Sequence, residues 1–291
     1  MGHFFGNPLI SKELRERFRS KKTIWILFSY LMVFGAVLLG YLTIIEKTDT
    51  VFLGQGDNLF FAMSALQYAL ICFIAPALAA GTISGERERQ TLNILLTTQL
   101  SPRRIILSKL VTSLSFMFLL IVASLPLYSF VFLYGGVSPS QIFSMILFFA
   151  INIMFFGSLG IFCSTWVKRT GVSTITAYGI AFFFVVGTAF LLYFLLAIIR
   201  YWYPDTDYGI ESFFLLKWLS YINPCLVGSR ILGIDVFSSI SMSEDYYWIY
   251  FASFYLVLSV GLLCWSAYLL KPVRRPWTTR EQESKSEGAR E

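Results

Sequence analysis

Six long runs of this chain, residues 23–45, 59–80, 110–133, 141–167, 172–199 and 246–270, contain no Asp, Glu, Lys, Arg or His. One helix needs roughly 20 apolar residues to cross a bilayer core. Lipid offers no water to backbone amides and carbonyls, so each run must satisfy them internally as a helix. Barrel strands would be shorter and would alternate in polarity. Composition agrees, because 56% hydrophobic and 14% charged departs from the near-half and one-quarter of soluble domains. The expected fold class is therefore an all-α membrane protein with six transmembrane helices over residues 23–275.

Basic residues orient the bundle. With a cytoplasmic N-terminus, the inside segments hold 19 of the 23 Lys and Arg. They lie before the first span, in the loop after the second, at Lys168-Arg169 and in the tail. Only Lys47, Arg200, Lys217 and Arg230 fall outside. The positive-inside rule then places both termini in the cytoplasm. The net charge of +6 is a topology signal, and no nucleic-acid partner is expected. The first span is too long for a typical signal-peptide core and is expected to stay in the membrane.

Residues 1–22 read as an amphipathic helix. Asn7-Pro8 resembles a cap and a first helical position. Ile10, Leu14 and Phe18 recur on one face, with Arg15 and Arg17 among the charged residues elsewhere. Such a helix lies at the membrane interface. It is either a generic basic anchor or an elbow that also touches a cytoplasmic partner.

Pro76 favours a kink near the end of the second span. Beyond it, residues 81–109 form a charged, amphipathic loop. Ser84 is expected to cap a helix over residues 84–100, with Glu86 and Glu88 in its first turn. Leu92, Leu95 and Leu96 supply an apolar face. Ser101-Pro102 then starts the third spanning helix. Gly85 reads as a flexible joint. Glu86-Arg87-Glu88-Arg89 is either a solvated charge run or a charge-matched docking surface.

Elsewhere, Gly135-Gly136 marks a tight outer turn and residues 168–171 a tight inner one. Gly157, Gly160 and Ser164 allow close helix approach, for packing within the chain or at a dimer seam. The outer segment 200–245 contains an apolar stretch, 213–222, ended by Asn223-Pro224. It is too short to span, so a re-entrant or interfacial helix is expected. Tyr201, Trp202, Tyr203, Tyr246, Tyr247 and Trp248 form an outer aromatic belt. Residues 276–291 are polar and read as a disordered cytoplasmic tail.

Much chemistry is missing. The chain has no P-loop and not one Gly-Lys pair. A single histidine, His3, excludes histidine zinc sites and a Ser-His-Asp triad within the membrane. The spans lack the ionisable groups of ion-coupled carriers. Gln67 and Asn152 are expected to bond between helices. Cys72, Cys163, Cys225 and Cys264 read as free, mostly buried thiols, with a Cys225–Cys225 bridge across a dimer as the alternative. No catalytic, metal or cofactor site is expected in this chain. A pathway through it would be apolar and aromatic.

Three stretches carry a family resemblance: residues 7–17 (Asn-Pro-Leu-Ile-Ser-Lys-Glu-Leu-Arg-Glu-Arg), 83–92 (Ile-Ser-Gly-Glu-Arg-Glu-Arg-Gln-Thr-Leu), and 95–102 with Leu-Leu-Thr-Thr followed by Leu-Ser-Pro. Together with Asn223-Pro224 and the order of spans, the chain to about residue 275 resembles the ABC-2 type permeases, membrane subunits of ABC exporters. It departs at Gln90, where glycine is common, and at Gln99, where proline is common. The resemblance implies a prokaryotic plasma-membrane permease without enzymatic activity of its own. It implies two such subunits, identical or homologous, paired with two ATP-binding subunits that hold ATP and magnesium. Residues 84–100 would be the coupling helix, docking through Gly85, Glu86, Arg87, Glu88, Arg89, Leu92, Leu95 and Leu96, with the elbow helix nearby. Two other readings stay open. One is a membrane scaffold or sensor that binds an ATPase and moves nothing. The other is an intramembrane enzyme acting on lipid, which lacks the paired acid and base residues it would need.

Overall fold

The computed structural model describes residues 14–15, 18–47, 56–92, 101–134, 137–202, 214–233 and 246–270. Six helices among them are long and apolar enough to cross a membrane. These are α1 (Lys21–Lys47), α2 (Gly56–Ala80), α4 (Pro102–Tyr134), α5 (Pro139–Trp166), the composite α6–α7, and α10 (Tyr247–Leu269). The composite consists of α6 (Thr170–Phe182), a π-helical segment (Phe183–Gly187) and α7 (Thr188–Trp202). Three short helices complete the described residues: α3 (Ser84–Glu88), α8 (Phe214–Ile222) and α9 (Pro224–Ile231). Each expected span therefore lies on a long helix. Asn7-Pro8, Ile10, Arg17 and Gly135-Gly136 lie outside the described residues, as do Leu95, Leu96, Tyr203 and the tail. Leu14, Arg15 and Phe18 fall on helical residues, and the Phe18 side chain is exposed.

Helix α5 is the centre of the bundle and packs against α2, α4, α6, α9 and α10. Its start is locally encoded. Ser138 and Gln141 form a reciprocal capping box, with Pro139 at the first helical position. Phe148, Phe149, Phe155 and Phe156 are all buried along it. Its small residues let other helices come close. A Cβ on Gly160 would lie 2.5 Å from the Ala79 Cβ and 3.0 Å from the Ala80 amide nitrogen. A Cβ on Gly157 would lie 2.6 Å from Leu114. These glycines thus serve packing within the chain. Helix α1 is peripheral and buries Tyr30, Phe34 and Leu38, a stripe at helical spacing.

Several expectations change. Pro76 lies inside α2, which runs to Ala80. Gln67 does bond between helices, accepting from the Tyr30 hydroxyl. Asn152 does not among the described residues: its amide donates to the Phe148 carbonyl of its own helix at 2.8 Å, and its Oδ1 has no partner among them. The four cysteines are free, but Cys225 and Cys264 are exposed and only Cys163 is fully buried. Among its described residues the outer segment contains two short helices rather than one, since α9 follows α8 directly after Asn223. The pair folds back against α5, α7, α10 and the π segment.

Candidate functional site

The connection after α2 folds onto the ends of α5 and α6 as a polar junction. Its amides begin the chain of contacts. Ile83 and Ser84 both donate to the Ser164 hydroxyl of α5, at 2.9 and 2.8 Å. Ser164 thereby caps α3 from another helix and supplies partners to orphan amides at a helix start. Ser84 is not the cap: it lies within α3, and its hydroxyl donates to the Ala80 carbonyl at 2.9 Å.

The charged residues of α3 are engaged as well. Glu86 pairs with Lys109 of α4. Arg87 donates to the Thr165 carbonyl of α5 at 3.3 Å. Glu88 accepts from the Thr170 amide and the Thr170 hydroxyl, both at 2.8 Å. Arg169, the N-cap of α6, makes no side-chain capping bond, so Glu88 performs that task from α3. A carboxylate there also meets the positive end of the helix dipole. The Thr170 amide and hydroxyl, with the nearby Arg169 charge, hold the Glu88 carboxyl below its ordinary range. One turn further along α6, Ser173 donates to the Ala80 carbonyl at 2.9 Å.

Helix α3 ends sooner than expected. Gln90 adopts φ +59°. The Thr91 amide reaches the Glu86 carbonyl at 3.0 Å and the Gln90 amide reaches the Arg87 carbonyl at 3.1 Å. This is the paired closure of a left-handed helix stop, which glycine enters without strain. The resemblance has glycine common at this position, and the backbone supplies the reason. Gly85 is helical, and a Cβ there would meet the Thr170 hydroxyl at 3.8 Å. Arg89 is exposed and Leu92 buried.

The same helices wall a cavity of about 750 Å³ further along the bundle. Ala65, Tyr68 and Phe73 of α2 face it, with Phe148 of α5, Tyr178 and Phe182 of α6, and Cys225 of α9. No charged residue lines it among the described residues. Its size lies within the usual range for small-molecule sites, and such a surface suits an uncharged apolar guest. Phe73 and Phe182 are also exposed at the bundle surface. Tyr178 fixes α6 to α2 by donating to the Phe73 carbonyl at 2.7 Å.

Asn223 sits where this wall meets α9 and is fully buried. Its Oδ1 accepts from the Leu226 amide at 3.1 Å and caps α9, with Pro224 at the first helical position. Its Nδ2 donates to the Thr188 hydroxyl at 2.7 Å and to the Val185 carbonyl at 3.3 Å. The sequence drew attention to Asn223-Pro224 but not to these partners. It gave no sign of the roles of Ser164 and Thr170, or of the π segment.

Among curated proteins, none matches the chain. A protein-family profile described as "ABC-2 family transporter protein" matches residues 8–267. That match takes in the six long helices, the junction and the cavity. The chain belongs to the ABC-2 transporter family, as a multi-pass permease component of the kind that works with a separate ABC ATP-binding subunit.

Proposed function

We propose that this chain is the membrane subunit of an ATP-driven exporter, moving an uncharged hydrophobic or amphipathic molecule outward across a prokaryotic plasma membrane. An ATP-binding subunit, carrying ATP and magnesium, docks on the cytoplasmic connection around α3. A second permease subunit, identical or homologous, faces the open side of the cavity. Both termini lie in the cytoplasm.

One observation carries this reading. Helix α3 is fastened to α4, α5 and α6, and α5 and α6 join α2 in walling the cavity. A push on the connection therefore reaches the cavity through hydrogen bonds and an ion pair rather than through a flexible loop. The apolar lining supports an uncharged cargo, since an unpaired charge there would be costly.

Docking is tested on exposed residues, because reversing Glu86 or Glu88 would break the junction itself. The tagged chain is purified in mild detergent, with Arg89→Glu, just after α3, and Arg104→Glu, exposed in the first turn of α4, as variants. A stoichiometric ATP-binding subunit with wild type, weakened by the variants while the bundle stays intact, is the expected result. Recovery of the wild-type chain with no ATPase, where ABC complexes survive, would overturn it. Reconstituted vesicles then separate transporter from scaffold, since a scaffold gives no ATP-dependent movement of apolar cargo.

A further inference from the structure

Helix α6 cannot run into α7 as a regular helix. Between them the Thr188 amide reaches back to the Phe183 carbonyl, five residues earlier. This shifts the hydrogen-bond ladder by one residue, as a π turn does, and such turns concentrate at functional sites. Gly187 suits the crowding, since a Cβ there would lie 2.9 Å from the Phe183 ring. Two carbonyls of the segment receive side-chain donors. The Thr188 hydroxyl donates to Phe184 at 2.7 Å, and Asn223 donates to Val185. At this depth a carbonyl without a partner is costly.

Asn223 is thus a two-sided clamp. One end of its amide caps α9; the other holds the π turn and Thr188. The corner carrying it is tethered on its far side, where the Tyr255 hydroxyl of α10 donates to the Ile222 carbonyl at 2.8 Å. Both faces of the clamp border the cavity, through Val185 and Val186 on one side and Pro224 and Cys225 on the other.

We propose that Asn223 is a positioning residue for the cavity: through Val185 and Thr188 it sets how closely α9 stands to the π turn, and releasing it opens the cavity at that edge. The inference rests on the cavity being the cargo site. It adds the position at which the cavity yields.

Cys225, exposed and in the cavity wall, reports on that edge. The full chain in lipid nanodiscs, with Cys72, Cys163 and Cys264 changed to alanine, is treated with the neutral reagent N-cyclohexylmaleimide. Thr188→Val keeps the shape of the side chain and removes its hydroxyl; Thr188→Ser keeps the hydroxyl. Loss of the hydroxyl that accepts from Asn223 and donates to Phe184 is expected to speed Cys225 modification roughly three- to tenfold in Thr188→Val. Asn223→Leu is expected to speed it further. Thr188→Ser should match wild type, and Asn223→Leu with Thr188→Val should exceed Asn223→Leu by less than the factor that Thr188→Val gives alone, because the two residues share one bond while the Thr188 hydroxyl also bonds Phe184. Equal rates in wild type and Thr188→Val, or simple additivity in the double variant, would overturn the proposal. A separate arm adds N-phenyl-1-naphthylamine, a neutral apolar probe. Protection of Cys225 supports the cargo-site reading, and absence of protection counts against that reading alone.

Discussion

Helix α5 and the α6–α7 composite are neighbours in sequence, joined by a three-residue turn. The composite is the more apolar, with mean hydropathy 2.7 against 2.3, yet 17% of its most apolar stretch is buried against 72% for α5. In water that order would be reversed. In lipid, apolar surface is at home facing the solvent, so hydrophobicity does not pull a helix inward and packing must come from shape and polar contacts. The two spans show the two solutions. Shape holds α5, through glycines that bring α2 and α4 against it. Polar pins hold the composite, by Glu88 and Ala80 at one end, Phe73 midway and Asn223 at the π turn. A helix fixed at points can tilt between them, whereas one locked by interdigitation cannot.

The sharpest break in that contrast is a single methyl group. Gly160→Ala on α5 drives a Cβ into Ala79 and the α2 backbone, and overpacking of this kind costs about 1–3 kcal/mol or more. Gly179→Ala on α6 meets nothing within 4 Å and should leave stability unchanged within about 0.5 kcal/mol. Thermal unfolding in detergent measures both, and equal losses would remove the distinction between the spans.

Next in size is Glu88→Ala. It should leave the melting temperature of the bundle in place and speed hydrogen exchange at the Thr170 amide, because α6 loses its cap while its packing is untouched. Loss of the whole fold would mean that the pin is not local.

Acidity provides a graded version of the same cut. The Glu88 carboxyl is held below its ordinary value of 4.5. Its contribution is therefore complete above that value and disappears as pH falls through the lowered one. The protection of the Thr170 amide, taken relative to its intrinsic exchange rate at each pH, should hold at neutral pH and fall only in acid, and Glu88→Gln should flatten that dependence.

Smallest is Tyr30→Phe, which removes the hydroxyl donated to Gln67. Side-chain hydrogen bonds between membrane helices average about 0.6 kcal/mol, so a shift of that size in denaturant unfolding is expected. A larger one would show that α1 too depends on pins.

The sequence reading succeeded wherever the signal is local. The long charge-free runs located the spans. Ser101-Pro102 marked the start of α4, whose first amides bond back to the Ser101 carbonyl. Gly157 and Gly160 announced close packing. It failed where the partner is remote. Ser164 and Ile83 are 81 positions apart, and Glu88 and Thr170 are 82 apart. No local pattern links such residues. The helix over 84–100 was drawn through Gln90 because glutamine carries no stop signal, although the backbone turns there. In Phe183–Gly187 every residue is apolar or glycine, so a shift of one residue in the ladder leaves the pattern unchanged.

Finally, consider what an approaching ATP-binding subunit would meet at α3. The short helix has its amides capped, its charges matched and its end closed before any partner arrives. A disordered segment would have to be ordered on contact, and that entropy would be subtracted from affinity. In α3 the ordering is completed during folding, so on the docking proposed above association would take the form of rigid-body docking. Whatever free energy that encounter released would then be left for moving helices.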